Sequence, residues 1–79
     1  MQFKYKINHL LSLLPAGVYP ESVIAQLEFT YQVPSKIFFS DRYILIDQEE
    51  EIPFDRLSIY AQIFGVGVDD LMTRKPALT

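Results

Sequence analysis

Prolines at positions 15, 20, 34 and 53 cut this chain into short pieces, and that spacing limits its fold more than any other feature. Proline has no backbone donor and pushes the residue before it away from helical geometry, so it ends a helix or stands in its first turn. Long helices are therefore excluded. The 79 residues suffice for one small domain, which at this size buries about 60% of its unfolded surface and needs an apolar core. A composition 49% apolar, with six Phe and five Tyr, supplies one.

Between the prolines the apolar residues recur at helical spacing. Phe3, Ile7, Leu10, Leu11 and Leu14 form one stripe that Pro15 ends, and Ala16-Gly17 turns the chain. His9 lies beside that stripe and reads as a partly exposed helix residue. Pro20-Glu21 opens a second helix, continued by Val23, Ile24, Leu27 and Tyr31, in which Ala25 either admits a neighbouring helix or is simply a good helix former. After Pro34, Ser35 can cap a third helix running to Arg42 or Tyr43, with Phe38 or Phe39 turned inward. The β-branched and aromatic runs Ile37-Phe38-Phe39 and Tyr43-Ile44-Leu45-Ile46 also permit strands.

Asp47-Gln48-Glu49-Glu50-Glu51 is the one charge run and reads as a solvated loop. From Pro53 a fourth helix carries Leu57, Tyr60, Ala61 and Phe64 on one face, with Asp55 near its positive end and Gly65 closing it. Asp69 can cap a last short helix bearing Leu71, and residues 74–79 read as a frayed tail. The expectation is a single all-α domain, a compact bundle of about five short helices with an ordered core over residues 3–73. Leu57, Ala61, Phe64 and Leu71 are expected to bury together with Leu10, Leu14, Ile24 and Leu27.

Several chemistries are excluded or weakened at once. Without cysteine there is no disulfide, thiolate nucleophile or Cys-based zinc site, and the single His9 rules out two-histidine metal motifs. Neither a Gly-rich phosphate loop nor a nucleophile motif occurs, and Glu49-Glu50-Glu51 alone is a poor metal site because adjacent residues seldom converge on one ion. The reading is not an enzyme, with no cofactor and no metal. The apolar runs are too short to span a bilayer, and no cleavage site follows the N-terminal residues, so a cytoplasmic location without a membrane partner is expected.

The stretch from Pro53 to Leu71, PFDRLSIYAQIFGVGVDDL, resembles the last part of Cro-like and phage-repressor-like (XRE-type) helix-turn-helix domains. In that pattern a proline-started helix carries Leu and then an apolar-Ala pair before Gly-Val, and the segment ends in Asp-acidic-Leu. Upstream, Ile24-Ala25 resembles the family's Leu-Ala pair, and Val33-Pro34-Ser35 stands where a Val-Ser cap opens the third helix. The chain departs from the pattern between these points, with seven residues between Ala25 and Val33, a few more than the family usually has, and Tyr31-Gln32 where the family has a turn Gly.

The resemblance implies a lambda-repressor-like fold whose second and third helices, here Pro20 to Gln32 and Ser35 to Arg42, form the DNA-binding unit, with the third in the major groove. Lys36 and Ser40 are then base or phosphate contacts, Ser35 and Arg42 suit the backbone, and Lys4 and Lys6 reach flanking phosphates. With Phe38 inward, Ser35, Lys36, Ile37 and Phe39 face the groove; with Phe39 inward, Lys36, Ile37, Phe38 and Ser40 do. Bland roles stand beside these: Ser35 as a cap, Arg42 as a partner of Asp41 or a neighbouring carboxylate.

Charge gives mixed guidance. The net charge is -3, but Lys4, Lys6, Lys36 and Arg42 outweigh Glu21, Glu28 and Asp41 over residues 1–46 by +1, whereas residues 47–79 carry -4. So few cations make weak, salt-sensitive contacts for a monomer, and a homodimer doubles the footprint. The leading expectation is a small DNA-binding transcriptional regulator of the kind found in bacteria and mobile elements, binding double-stranded operator DNA. The alternative is a protein-interaction module of antitoxin-like or antirepressor-like type, which keeps the fold and presents Ile37 and an outward Phe to a protein partner.

Overall fold

A computed structural model describes residues 2–73 and consists of five helices in the expected order. Met1 and the proposed tail, 74–79, lie outside the described residues. The helices are α1 (Ile7–Ser12), α2 (Pro20–Phe29), α3 (Ser35–Arg42), α4 (Phe54–Phe64) and α5 (Val68–Leu71). The chain is an all-α bundle. None of these helices is long and apolar enough to cross a membrane.

The first stripe does not begin where its periodicity predicts. Phe3 is not helical; the segment before α1 makes isolated antiparallel bridges, Phe3 with Leu45 and Tyr5 with Met72, with a bend at Lys4 between them. The Lys4 N–H donates to the Ile44 carbonyl at 2.8 Å and the Ile46 N–H to that of Gln2 at 2.9 Å. On the other edge the Lys6 N–H reaches the Leu71 carbonyl at 2.6 Å, and the Thr73 N–H that of Lys4 at 3.0 Å. Backbone groups used in this way cannot also close helical turns. Tyr5 is buried, and its hydroxyl accepts the Ile52 N–H at 3.0 Å. The strap thus ties both ends of the described chain and the segment after α3 into one unit.

Proline and glycine punctuate the rest largely as the sequence dictates. Pro20 occupies the first turn of α2, and Pro53 precedes the first residue of α4. Gly65 takes a left-handed φ of 69° and, with Val66, returns N–H groups to the last carbonyls of α4. Three caps differ from expectation. Ser35 is the first residue of α3 rather than its cap, and its side chain makes no capping bond, because Pro34 holds the extended cap position. Asp69 does not cap α5; Gly67 precedes the helix, and its N–H donates to Asp70 Oδ2 at 3.1 Å. Finally, α2 stops at Phe29 rather than Gln32. Gln32 itself turns left-handed at φ 58°, and the Val33 N–H closes back on the Leu27 carbonyl at 2.8 Å. Pro34 favours extended geometry at Val33, so the helix must end before it.

Four of the eight expected core residues, Leu27, Leu57, Ala61 and Leu71, are buried. Leu10, Leu14, Ile24 and Phe64 are partly exposed and pack against the core from its margin. Tyr5, Ile7, Leu11, Val23, Val33, Phe38, Ile44, Ile52 and Tyr60 fill the remainder. Ala25 is exposed, which leaves it the role of helix former. His9 is exposed, and the acidic run 47–51 is an exposed, irregular segment.

Candidate nucleic-acid interface

The orientation of α3 follows from two residues one turn apart. Phe38 is fully buried, its ring 5.4 Å from that of Tyr60, and Asp41 is buried beside it. At 100° per residue this turns Lys36 directly away from the core, with Phe39 and Ser40 on either side of it and Ile37 beyond Ser40, and Tyr43 follows the end of the helix. All five are exposed. The alternative with Phe39 inward is thereby excluded: Phe39 is 52% exposed. The segment 37–39 is helical rather than a strand, and of 43–46 only Leu45 makes a bridge.

Asp41 is held from α4. Arg56 donates through Nε to Oδ2 at 2.6 Å and through Nη2 to Oδ1 at 2.9 Å, a two-pronged pair, and the Tyr60 hydroxyl donates to Oδ2 as well. Arg42 therefore does not pair with Asp41, one of the alternatives open to it. Asp41 points inward with Phe38, whereas Arg42 turns toward α1. There its Nε donates to Asn8 Oδ1 at 2.7 Å, and Asn8 Nδ2 donates to the Arg42 carbonyl at 3.2 Å. The guanidinium lies 4.9 Å from the centre of the Phe39 ring and 5.3 Å from that of Tyr43, within cation–π range of both. Phe3 meets the Tyr43 ring edge-on at 5.6 Å. The end of α3 is thus fixed by α1, and its middle by α4.

The proposed contact residues fall into two groups. Lys36, Ile37, Phe39 and Ser40 share the outer surface of α3, whereas Ser35 is half-buried at its start. Arg42 is engaged by Asn8 and the aromatic rings. Lys4 and Lys6 belong to the strap, where the Lys4 ammonium donates to the carbonyls of Gln48 and Glu50, the second at 2.8 Å. This leaves Lys36 as the charged group on the outer surface of α3. The acidic side chain within the helix, Asp41, points inward and its charge is met by Arg56.

Asn8 and Arg56 build this arrangement without having been singled out in the sequence, where Asp41 stands only as a possible partner of Arg42 and Tyr60 only as one residue of the apolar face of α4. A signal was present, since Asp41 follows Phe38 by three residues and Arg56 precedes Tyr60 by four, each pair sharing a helix face. Burial raises the Tyr60 pKa well above the ordinary phenol value, and the hydrogen bond to Asp41 and its negative charge add to the effect. The Asp41 hydrogen bond likewise raises that of Arg56, which stays charged. An unfolded tyrosine loses its proton near pH 10, while folded Tyr60 keeps it, so above about pH 10 the native state binds more protons and stability falls as pH rises. Denaturation midpoints between pH 9 and 11 are expected to show this decline, and Tyr60→Phe to reduce it. An identical decline in the variant would assign it to other groups.

No protein-family model, curated protein or solved structure matches this chain. The arrangement must be read from its own chemistry. It presents a short, firmly seated helix whose outer surface combines one cation, one hydroxyl and an apolar flank on each side.

Proposed function

We propose that the protein is a small DNA-binding transcriptional regulator of the phage-repressor-like type, which acts by occupying operator DNA with α3 in the major groove. The observation that carries this reading is the pairing of α2 and α3. Residues 30–34 join them, α3 is locked by Phe38 and Asp41, and Lys36 and Ser40 project from its exposed side. A rigid helix presenting its N-terminal half is what base contact in a groove requires. The five-helix order and the resemblance of residues 53–71 to repressor-like domains support the same reading. So little positive charge gives weak monomer binding, and a homodimer placing two α3 helices about 34 Å apart, one DNA turn, would supply the missing contacts. Such a regulator would act in the cytoplasm.

Lys36→Ala tests the proposal. Binding to every duplex is expected to weaken, and the log–log salt slope to flatten by about one, as for one lost phosphate contact. Fluorescence anisotropy at two salt concentrations reads both effects. Lys36 is exposed, so the fold should survive the change. Unchanged affinity with an unchanged slope would remove α3 from the DNA interface.

One observation favours a second reading. Ile37, Phe39 and Tyr43 make the surface of α3 more apolar than a phosphate-binding helix needs. An antitoxin-like or antirepressor-like protein partner would use those side chains as anchors. In that case Phe39→Ala abolishes partner capture while Lys36→Ala does not.

A further inference from the structure

Base pairs differ in the side chains that can read them. Arg or Lys suits guanine, Asn or Gln suits adenine, a carboxylate suits cytosine, serine serves several bases, and apolar groups pack on the thymine methyl. The outer surface of α3 offers few of these. Asp41 is buried and paired with Arg56, Arg42 is held by Asn8 under the Phe39 and Tyr43 rings, and the helix contains neither Asn nor Gln. What remains is Lys36, Ser40 and the exposed side chains of Ile37 and Phe39.

We propose that α3 selects thymine-rich operators, with Ile37 and Phe39 packing against thymine 5-methyl groups in the major groove. This rests on the DNA-binding reading above and names the sequence class it would take. Ile37 and Phe39 are two residues apart, so they project from opposite flanks of the helix. Lys36 and Ser40, one turn apart, lie between them. A helix lying along the groove therefore turns one apolar side chain toward each strand, and the thymines it favours stand on opposite strands. Both side chains are pre-ordered. Ile37 is β-branched and stiff at χ1, and the Phe39 ring is held by the Arg42 guanidinium at 4.9 Å with the Tyr43 ring at 6.0 Å. Little side-chain freedom is lost on contact, so the buried methyl contributes nearly its full transfer free energy.

The test uses the full chain and duplexes recovered from a randomised pool. Each thymine of the recovered site is replaced in turn by deoxyuridine, which removes the methyl and leaves the base-pairing groups unchanged. Affinity is expected to fall about fourfold at each contacted thymine, corresponding to about 0.8 kcal/mol per buried methyl. Ile37→Ala should erase the penalty at one position and Phe39→Ala at another on the opposite strand; both residues are exposed, and thermal melts confirm that the variants fold. Equal affinity for thymine and deoxyuridine duplexes would overturn the methyl reading and leave DNA binding intact. A penalty that persists in both variants would overturn it too, by assigning the contact to other residues. Recovery of no duplex from the pool would overturn both readings together.

Discussion

Phe38→Ala is expected to lower the unfolding free energy by about 3–5 kcal/mol, a large part of what a domain of this size has. The ring has no exposed surface and leans on Tyr60. Truncation thus removes the apolar anchor of α3 and opens a cavity between α3 and α4. Phe39→Ala, one residue along the same helix, should cost under about 1 kcal/mol, since its ring is half exposed and gives up mainly contacts with Arg42 and Tyr43. Urea denaturation of the two variants measures the contrast directly. Equal losses would mean that both rings share the core, and the outward surface assigned to α3 would have to be redrawn.

That contrast marks where the amino-acid pattern stopped being informative. Helix positions follow from proline and from the 3.6-residue period, which is why α2, α3 and α4 begin where Pro20, Pro34 and Pro53 place them. Two adjacent phenylalanines carry no such bias. Only packing against Tyr60 and the inward carboxylate of Asp41 decides between them. The start of the chain misled for a related reason: Phe3 and Ile7 fit a helical stripe, but Phe3, Tyr5 and Ile7 fit a strand alternation equally well. The partners that decide the matter, Leu45 and Met72, are distant in sequence. The caps at Ser35 and Asp69 were plausible residue types displaced by one or two positions, within the range over which local signals lose resolution. Of the candidate site, the outward position of Lys36 was legible in either register. The engagement of Arg42 by Asn8 was not, because a contact between α1 and the end of α3 leaves no mark in either segment.

Arg56→Met is expected to cost about 3 kcal/mol, near the lower end of the 3–5 kcal/mol range for breaking a buried ion pair. The methionine keeps much of the stem and removes both donors, so Asp41, whose side chain is 4% exposed, would retain only the Tyr60 hydroxyl as its side-chain partner. The lower end applies because Arg56 is itself 29% exposed, and water reaches one side of the pair. Adding Asp41→Asn to the variant should recover part of the loss, since a neutral amide no longer needs a cation and can still accept from Tyr60. Chemical denaturation of the two variants and the parent measures this recovery. A loss below about 1 kcal/mol, or no recovery in the double variant, would class the contact with ordinary surface ion pairs. With that contact reduced to a surface pair, Phe38 alone would fix how α3 sits on α4. The pair is directional where the Phe38 contact is not. Two parallel hydrogen bonds fix the rotation of α3 about its own axis, and that rotation sets which of Lys36, Ile37, Phe39 and Ser40 faces outward.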